Sequence, residues 1–185
     1  MKKILLVAAA IITGTVSSFA QTSSTANLNV NLADIMTIQV VNPDVTIVVN
    51  SAADYINAAE NTGVKVSVPG HLKVVSNGGF KVLATSGNLA GPGNSRIEND
   101  KIQLDIVGYT KSSANASNEL TGLAQATGHN LHNDASAPII STTSVGGGTV
   151  GTTFNVDYTL KNVTNIANLP VAIYATTVTY TIEAN

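Results

Sequence analysis

The chain has 185 residues, and its 9 basic and 11 acidic side chains give a net charge of −2. Charged residues make up only 11% of the sequence, so it lacks the clustered positive charge that proteins need to bind nucleic acid or an anionic membrane surface. It also has no cysteine, which excludes disulfides, thiol catalysis and thiolate metal sites and leaves burial of side chains to stabilise the fold.

Residues 1–20 have the pattern of a cleavable signal peptide. Two lysines precede the apolar run 4–12, and the small residues Ser18 and Ala20 fit the site that signal peptidase recognises. The run is shorter than the roughly 20 residues that a membrane-spanning helix needs. We therefore expect export to the periplasm or the cell surface without membrane insertion, and a mature chain of residues 21–185 that forms one domain.

The first predicted element of the mature chain is a strand over residues 26–32. Its apolar and polar residues alternate, which is the period of an extended chain. Three asparagines fall on one face, and the other face carries Ala26, Leu28, Val30 and Leu32.

Two β-rich runs and a helix follow. Residues 35–41 and 45–49 are predicted to be strands separated by a turn that contains a proline. Ser51 and Asp54 have the spacing of a capping box, which predicts a short helix that ends near Glu60.

The middle of the chain reads as strands joined by turns. Residues 64–75 alternate on either side of a Pro-Gly turn, and the sequence Ser-Asn-Gly-Gly at 76–79 predicts a hairpin to a return strand at 80–84. Residues 101–107 predict a further strand. In contrast, residues 110–147 have little periodicity and are predicted to be a loop-rich surface insertion with a short helix near 118–126.

Two strands are predicted after this insertion, at 152–160 and 173–182. One face of the last strand carries Tyr174, Thr176, Val178, Tyr180 and Ile182. Many short strands without βαβ alternation indicate an all-β fold, an antiparallel β-sandwich, with a β-barrel as the alternative.

The histidines are the first candidates for chemistry. His129 and His132 are three residues apart, with Asp134 nearby, and on a helix this spacing could present both imidazoles to a metal. Because metal sites usually need three or four ligands, two exposed loop histidines are the favoured interpretation. His71, which follows a turn, is interpreted as structural.

The acidic residues give no stronger signal. Glu98, Asp100 and Asp105 could contribute oxygens to calcium but lack the spacing of a calcium-binding loop. No nucleophile elbow or phosphate-binding loop occurs. The sequence therefore predicts a protein that is not an enzyme and needs no cofactor or metal.

Several of these segments resemble known surface proteins. The alternating strand 26–32, the following Asp34 and Ile35, the segment 72–82 and the terminal strand 174–182 resemble the major subunits of bacterial fimbriae of the alternate-chaperone class. The resemblance implies a cysteine-free, Ig-like sandwich whose N-terminal strand is donated to the open sheet edge of the next subunit. The segment 72–82 and the terminal strand are also similar to those of WxL-type cell-surface domains, whose Trp-x-Leu signature this chain lacks because it has no tryptophan.

Three alternatives remain open at this stage. Residues 26–32 could pair within their own sheet, or they could be donated to another copy, which would make the protein a pilus-like structural subunit whose partners are copies of itself. The third alternative is a stand-alone secreted module that binds surface glycan or peptidoglycan. Sugar sites usually contain aromatic platforms, and the low aromatic content of 4% counts against this alternative.

Overall fold

A computed structural model of the chain describes residues 26–111, 120–132, 134, 136–143 and 148–185. The predicted signal peptide and part of the 110–147 segment lie outside these residues. The chain divides between Leu32 and Ala33 into two units. All the strands of the described residues belong to the second unit, Ala33–Asn185.

The described part of the chain consists mainly of β-strands. One α-helix, α1, covers Ala52–Ala59, and two short 3-10 helices cover Asn99–Lys101 and Ile166–Asn168. The strands are β1 (Met36–Val40), β2 (Val64–Ser76), β3 (Phe80–Ser86), β4 (Leu89–Ala90), β5 (Arg96–Ile97), β6 (Ile102–Thr110), β7 (Ala124–Gln125), β8 (His129–Asn130), β9 (Ile140–Ser141), β10 (Thr149–Leu160) and β11 (Val178–Ala184).

The strands form two main antiparallel sheets, which confirms the predicted all-β class. The first has the order β1-β2-β10-β6-β8 and the second has the order β11-β3-β9-β7, while β4 and β5 form a small separate pair. Buried residues of both sheets belong to one hydrophobic cluster, and its largest fully buried side chains are Phe80 and Phe154. The alternating apolar faces of the strands therefore share one core.

The predicted helix is confirmed, including its capping box. The Ser51 hydroxyl accepts a hydrogen bond from the Asp54 backbone N–H at 3.1 Å, and the Asp54 carboxylate accepts one from the Ser51 backbone N–H at 3.0 Å. Hydrogen bonding from the Ser51 side chain lowers the pKa of Asp54. Ala58 is buried, and its carbonyl accepts a hydrogen bond from the Val163 N–H at 2.9 Å, which docks the helix on the segment after β10.

The hairpin predicted at residues 76–79 is wrong. The connection is tight, but β2 pairs with β1 and β10 in one sheet, whereas β3 pairs with β9 and β11 in the other. Leu72 and Val74 on β2 and Phe80 and Val82 on β3 are all fully buried. The residues at 76–79 favour a sharp reversal of the chain. The two strands lie in different sheets because both bury their apolar side chains in the core between the sheets.

The prediction of a surface insertion over residues 110–147 needs correction. Its described residues include three short strands, of which β8 belongs to the first sheet and β7 and β9 belong to the second. They also include the buried side chains of Leu131, Ile139 and Ile140. Residues 120–126 form turns and β7 rather than the predicted helix. Strands of two residues are too short to produce a periodic pattern, so the sequence gives no sign of them.

Candidate functional site: an open groove

The second unit, Ala33–Asn185, contains a groove of about 830 Å³. Two extended segments form its long sides, which we call the N-terminal wall (residues 43–49) and the C-terminal wall (residues 169–177). The N-terminal wall continues the chain beyond β1, and the C-terminal wall leads into β11. Since both Met36 and Ala184 lie beside the β2–β3 connection, the walls run in opposite directions.

The N-terminal wall corresponds to the predicted strand 45–49. Val45, Ile47 and Val49 are half-buried, and the residues between them are exposed, which is the alternation of an extended chain. The wall is not a strand, however, because no described segment pairs with it. The last contact of the ladder is a hydrogen bond of 2.8 Å from the Val41 N–H to the His71 carbonyl. Within the described residues, the backbone N–H groups of 44–49 make no hydrogen bond.

The C-terminal wall includes the first half of the predicted terminal strand, which begins at Val178 in the structure. The backbone of Ala175 pairs with that of Ala90 through two hydrogen bonds of 2.9 and 3.0 Å. The N–H groups of 171–174, 176 and 177 make no hydrogen bond with any other described residue. Both sides of the groove thus have the open backbone of a sheet edge.

Tyr174 fixes the C-terminal wall in place. Its hydroxyl donates a hydrogen bond of 3.0 Å to the Pro170 carbonyl. Its ring lies so close to Gly91 that a Cβ at that position would come within 2.6 Å of the ring carbon Cδ1. The absence of a side chain at Gly91 therefore allows the ring to pack on the backbone of the β4–β5 hairpin.

A polar cluster of the buried His71 and Tyr158 and the half-buried Tyr180 lines the end of the groove next to β1 and β11. His71 is 2% exposed, and a hydrogen bond of 2.8 Å joins its Nε2 to the Tyr158 hydroxyl. The hydroxyls of Tyr158 and Tyr180 also form a hydrogen bond, and both rings meet the imidazole edge to face. Burial lowers the pKa of His71, raises that of Tyr158 to about 12 and raises that of Tyr180 further, so this cluster is neutral near pH 7.

A β-bulge turns His71 toward the groove. Leu72 lies opposite Phe154 and Val68 opposite Val156, so three residues of β2 face only Asn155 of β10. Such a bulge redirects a side chain, and as a result both His71 and Leu72 are buried. Gly70 supplies the φ of +59° that this path requires, and its N–H donates a hydrogen bond of 2.8 Å to the Asn155 side chain.

The predicted assembly residues 26–32 belong to the first unit. Residues 26–32 are not in a strand, and Ala26 is exposed. Leu28, Val30 and Leu32 are 88%, 75% and 85% exposed, respectively. Three large apolar side chains are thus presented to solvent at alternating positions, and the prediction that they form an assembly strand stays a prediction.

The residues predicted to share one face of the terminal strand divide into two groups. Val178, Tyr180 and Ile182 lie in β11 and are half-buried, and the first two line the groove. Tyr174 and Thr176 lie in the C-terminal wall before β11 begins, and Thr176 is exposed. Its hydroxyl donates a hydrogen bond of 2.9 Å to the Gly87 carbonyl.

The histidines of the 110–147 segment differ from their predicted environment. His132 is exposed as expected, but His129 lies in β8 opposite Leu104 and is only 4% exposed. Pairing of β8 with β6 buries it, a long-range contact that the local sequence cannot reveal. In the described residues, no group of three or more His, Asp or Glu side chains could hold a metal ion.

The three acidic residues considered for calcium each have a partner of their own. The Arg96 guanidinium lies 3.1 Å from the Glu98 carboxylate, and the Lys101 ammonium lies 2.8 Å from the Asp100 carboxylate. Asp105 accepts hydrogen bonds from the Gln103 side chain and the Gly128 N–H. These separate contacts do not bring the three carboxylates into a shared site.

Comparisons with known proteins add no functional assignment. No protein-family model matches the chain, and no curated protein is significantly similar to it. Within the described residues, none of the helices has the length and apolar character to cross a membrane.

Proposed function

We propose that the protein is an exported structural subunit that polymerises head to tail, with residues 26–32 of one copy inserted as a β-strand into the groove of the next. The observation that carries this proposal is the groove with two open backbone walls and an apolar lining. An added strand would supply hydrogen-bonding partners for both walls and cover the apolar side chains between them.

The length of the proposed donor segment matches the groove. The N-terminal wall has seven residues, and so has the segment 26–32, and seven residues of extended chain span about 23 Å. In both, apolar residues occupy every second position. A strand laid along the groove would therefore direct Leu28, Val30 and Leu32 toward the apolar lining and its three asparagines toward solvent.

The charges of the two surfaces are also compatible. The donor segment contains no ionisable side chain, and Asp44 is the one acidic residue among the groove-lining residues, which include no lysine or arginine. Transfer of a neutral apolar strand into this site leaves no buried charge without a partner. The driving force is the burial of apolar surface together with backbone pairing.

The short connection between the donor segment and β1 favours insertion into another copy. Residues 33–35 join the segment to Met36, whereas the groove begins at Val40, about 13 Å further along an extended chain. If the segment folded back on its own chain, Leu32, Val30 and Leu28 would run alongside β1 rather than along the N-terminal wall. Transfer between copies is head-to-tail, and such an interface produces an open filament when the rotation between neighbouring copies does not close a ring.

The test places a charge on each face of the donor segment. In Val30→Asp the carboxylate would enter the groove, while in the matched control Asn29→Asp it would stay on the solvent face. The full chain would be expressed and recovered from the exported fraction, and its polymers measured by size-exclusion chromatography and by gels run without heating. We expect polymers from the wild type and from Asn29→Asp, and monomers from Val30→Asp.

Other outcomes would contradict the proposal. Polymers of Val30→Asp equal to those of the wild type would show that residues 26–32 do not enter the groove. A wild type that stays monomeric at all concentrations would favour a stand-alone module that binds glycan, and binding to glycan or peptidoglycan would then be measured directly.

A further inference from the structure

Asn77, in the connection between β2 and β3, holds the chain immediately after the proposed donor segment. Its side-chain Nδ2 donates a hydrogen bond of 3.2 Å to the Ala33 carbonyl, and its Oδ1 accepts one of 3.2 Å from the Ile35 N–H. Its backbone N–H donates a third, also of 3.2 Å, to the Ile35 carbonyl. The side-chain amide of Asn77 thus donates one hydrogen bond to residues 33–35 and accepts another from them. Neither of these bonds is part of the backbone pairing between β1 and β2.

We call these hydrogen bonds between Asn77 and residues 33–35 the clamp, and its position relative to the groove is the second observation. Met36, the first residue of β1, lies opposite Ser76, whereas Val40, which lines the groove, lies opposite Leu72. The clamp is therefore at the end of β1 that is remote from the groove. The residues that Asn77 contacts, 33–35, are the ones that directly precede β1 at this end.

We propose that Asn77 is a positioning residue for assembly, which fixes the direction in which residues 26–32 leave the domain and so presents them to a second copy of the chain. This inference rests on the proposed function. Fixing residues 33–35 before association reduces the conformational entropy that is lost when the donor segment becomes ordered in the neighbouring groove. The same restraint at every junction makes the filament stiffer.

The chemistry of the clamp requires an amide. Asp34 lies beside it, with its Oδ1 3.5 Å from the Asn77 Nδ2. An aspartate at position 77 could accept from the Ile35 N–H but could not donate to the Ala33 carbonyl when ionised. It would also place a second negative charge beside Asp34. Although asparagine and aspartate have nearly the same shape, Asn77→Asp is therefore expected to disrupt the clamp.

Three variants of the full chain test the inference: Asn77→Ala, Asn77→Asp and the double variant Asn77→Asp with Asp34→Asn. The double variant removes the charge repulsion and restores an amide within the clamp. The elongation rate would be measured by light scattering and the filament persistence length by electron microscopy. Loss of two side-chain hydrogen bonds is expected to slow elongation of Asn77→Ala by about tenfold and to make its filaments more flexible. Asn77→Asp is expected to be slower still, with partial recovery in the double variant.

A second measurement separates positioning from simple damage to the fold. A synthetic peptide of residues 26–32 would be titrated into Val30→Asp, whose groove is intact, with and without Asn77→Ala. We expect equal affinity, since Asn77 is remote from the groove. Weaker peptide binding with Asn77→Ala would show a general structural role and overturn the inference.

The experiment also separates this inference from the proposed function. If the wild type polymerises and Asn77→Ala elongates at the same rate into equally stiff filaments, Asn77 has no positioning role, and the proposed function stands. If the wild type neither polymerises nor binds the peptide, both are overturned.

Discussion

A charge in the groove and a charge in the donor segment should complement each other when two variants are mixed. Val30→Asp has a defective donor segment and an intact groove. Ile47→Asp has an intact donor segment and a carboxylate on the N-terminal wall, where Ile47 lines the groove. Neither variant should polymerise alone. In a mixture, the donor segment of Ile47→Asp can enter the groove of Val30→Asp, but the resulting pair has no functional donor or groove left with which to grow.

The loss of association free energy in Val30→Asp can be worked out from the exposure of Val30. Val30 is 75% exposed, so most of its side chain is available for burial, and complete burial of a valine or leucine side chain contributes about 1.5–3 kcal/mol. An aspartate at the same position loses this contribution and adds a desolvation penalty of several kcal/mol for the carboxylate. A combined loss of at least about 4 kcal/mol corresponds to association weakened by about a thousandfold.

The assay is analytical ultracentrifugation of each variant and of their equimolar mixture. We expect monomers from each variant alone and a single 1:1 complex from the mixture, with Thr179→Asp as the control. Thr179 is exposed on β11 between two residues that line the groove, so this control should polymerise like the wild type. A mixture that stays monomeric, although both variants show the thermal unfolding of the wild type, would refute donor-segment insertion into this groove. Long polymers from the mixture would refute the head-to-tail arrangement.

Three further predictions concern the lining and the core. Burial lowers the pKa of His71, so the unfolded chain takes up its proton more readily, and stability present above about pH 6.5 is lost as the pH falls below it. The urea midpoint should therefore fall between about pH 7.5 and about pH 5.5, and a His71→Gln variant with the same fall would contradict this reasoning. Gly91→Ala should displace the ring of Tyr174 and weaken binding of the 26–32 peptide with little change in thermal unfolding, whereas unchanged affinity would show that the C-terminal wall does not depend on this contact. Phe80→Ala should lower the free energy of unfolding by about 3–5 kcal/mol in urea titrations, and a loss below about 1 kcal/mol would mean that the site is less tightly packed than described.

The sequence by itself determined the features that depend on neighbouring residues. Alternation predicted the all-β class because side chains of an extended chain point to opposite faces in turn. The spacing of Ser51 and Asp54 predicted α1, since a capping box closes within four residues. The same local pattern identified residues 26–32 as a segment with one apolar face.

Only the tertiary structure decided which segments have a partner. Residues 45–49 have the pattern of a strand, yet they form one wall of a groove because no described strand pairs with their backbone. His71 and Tyr158 are 87 residues apart and meet only because a bulge in β2 turns the imidazole inward. An absent neighbour and a long-range contact leave no periodic signal in the sequence, because pairing between strands is set by the burial of a shared core rather than by adjacent residues.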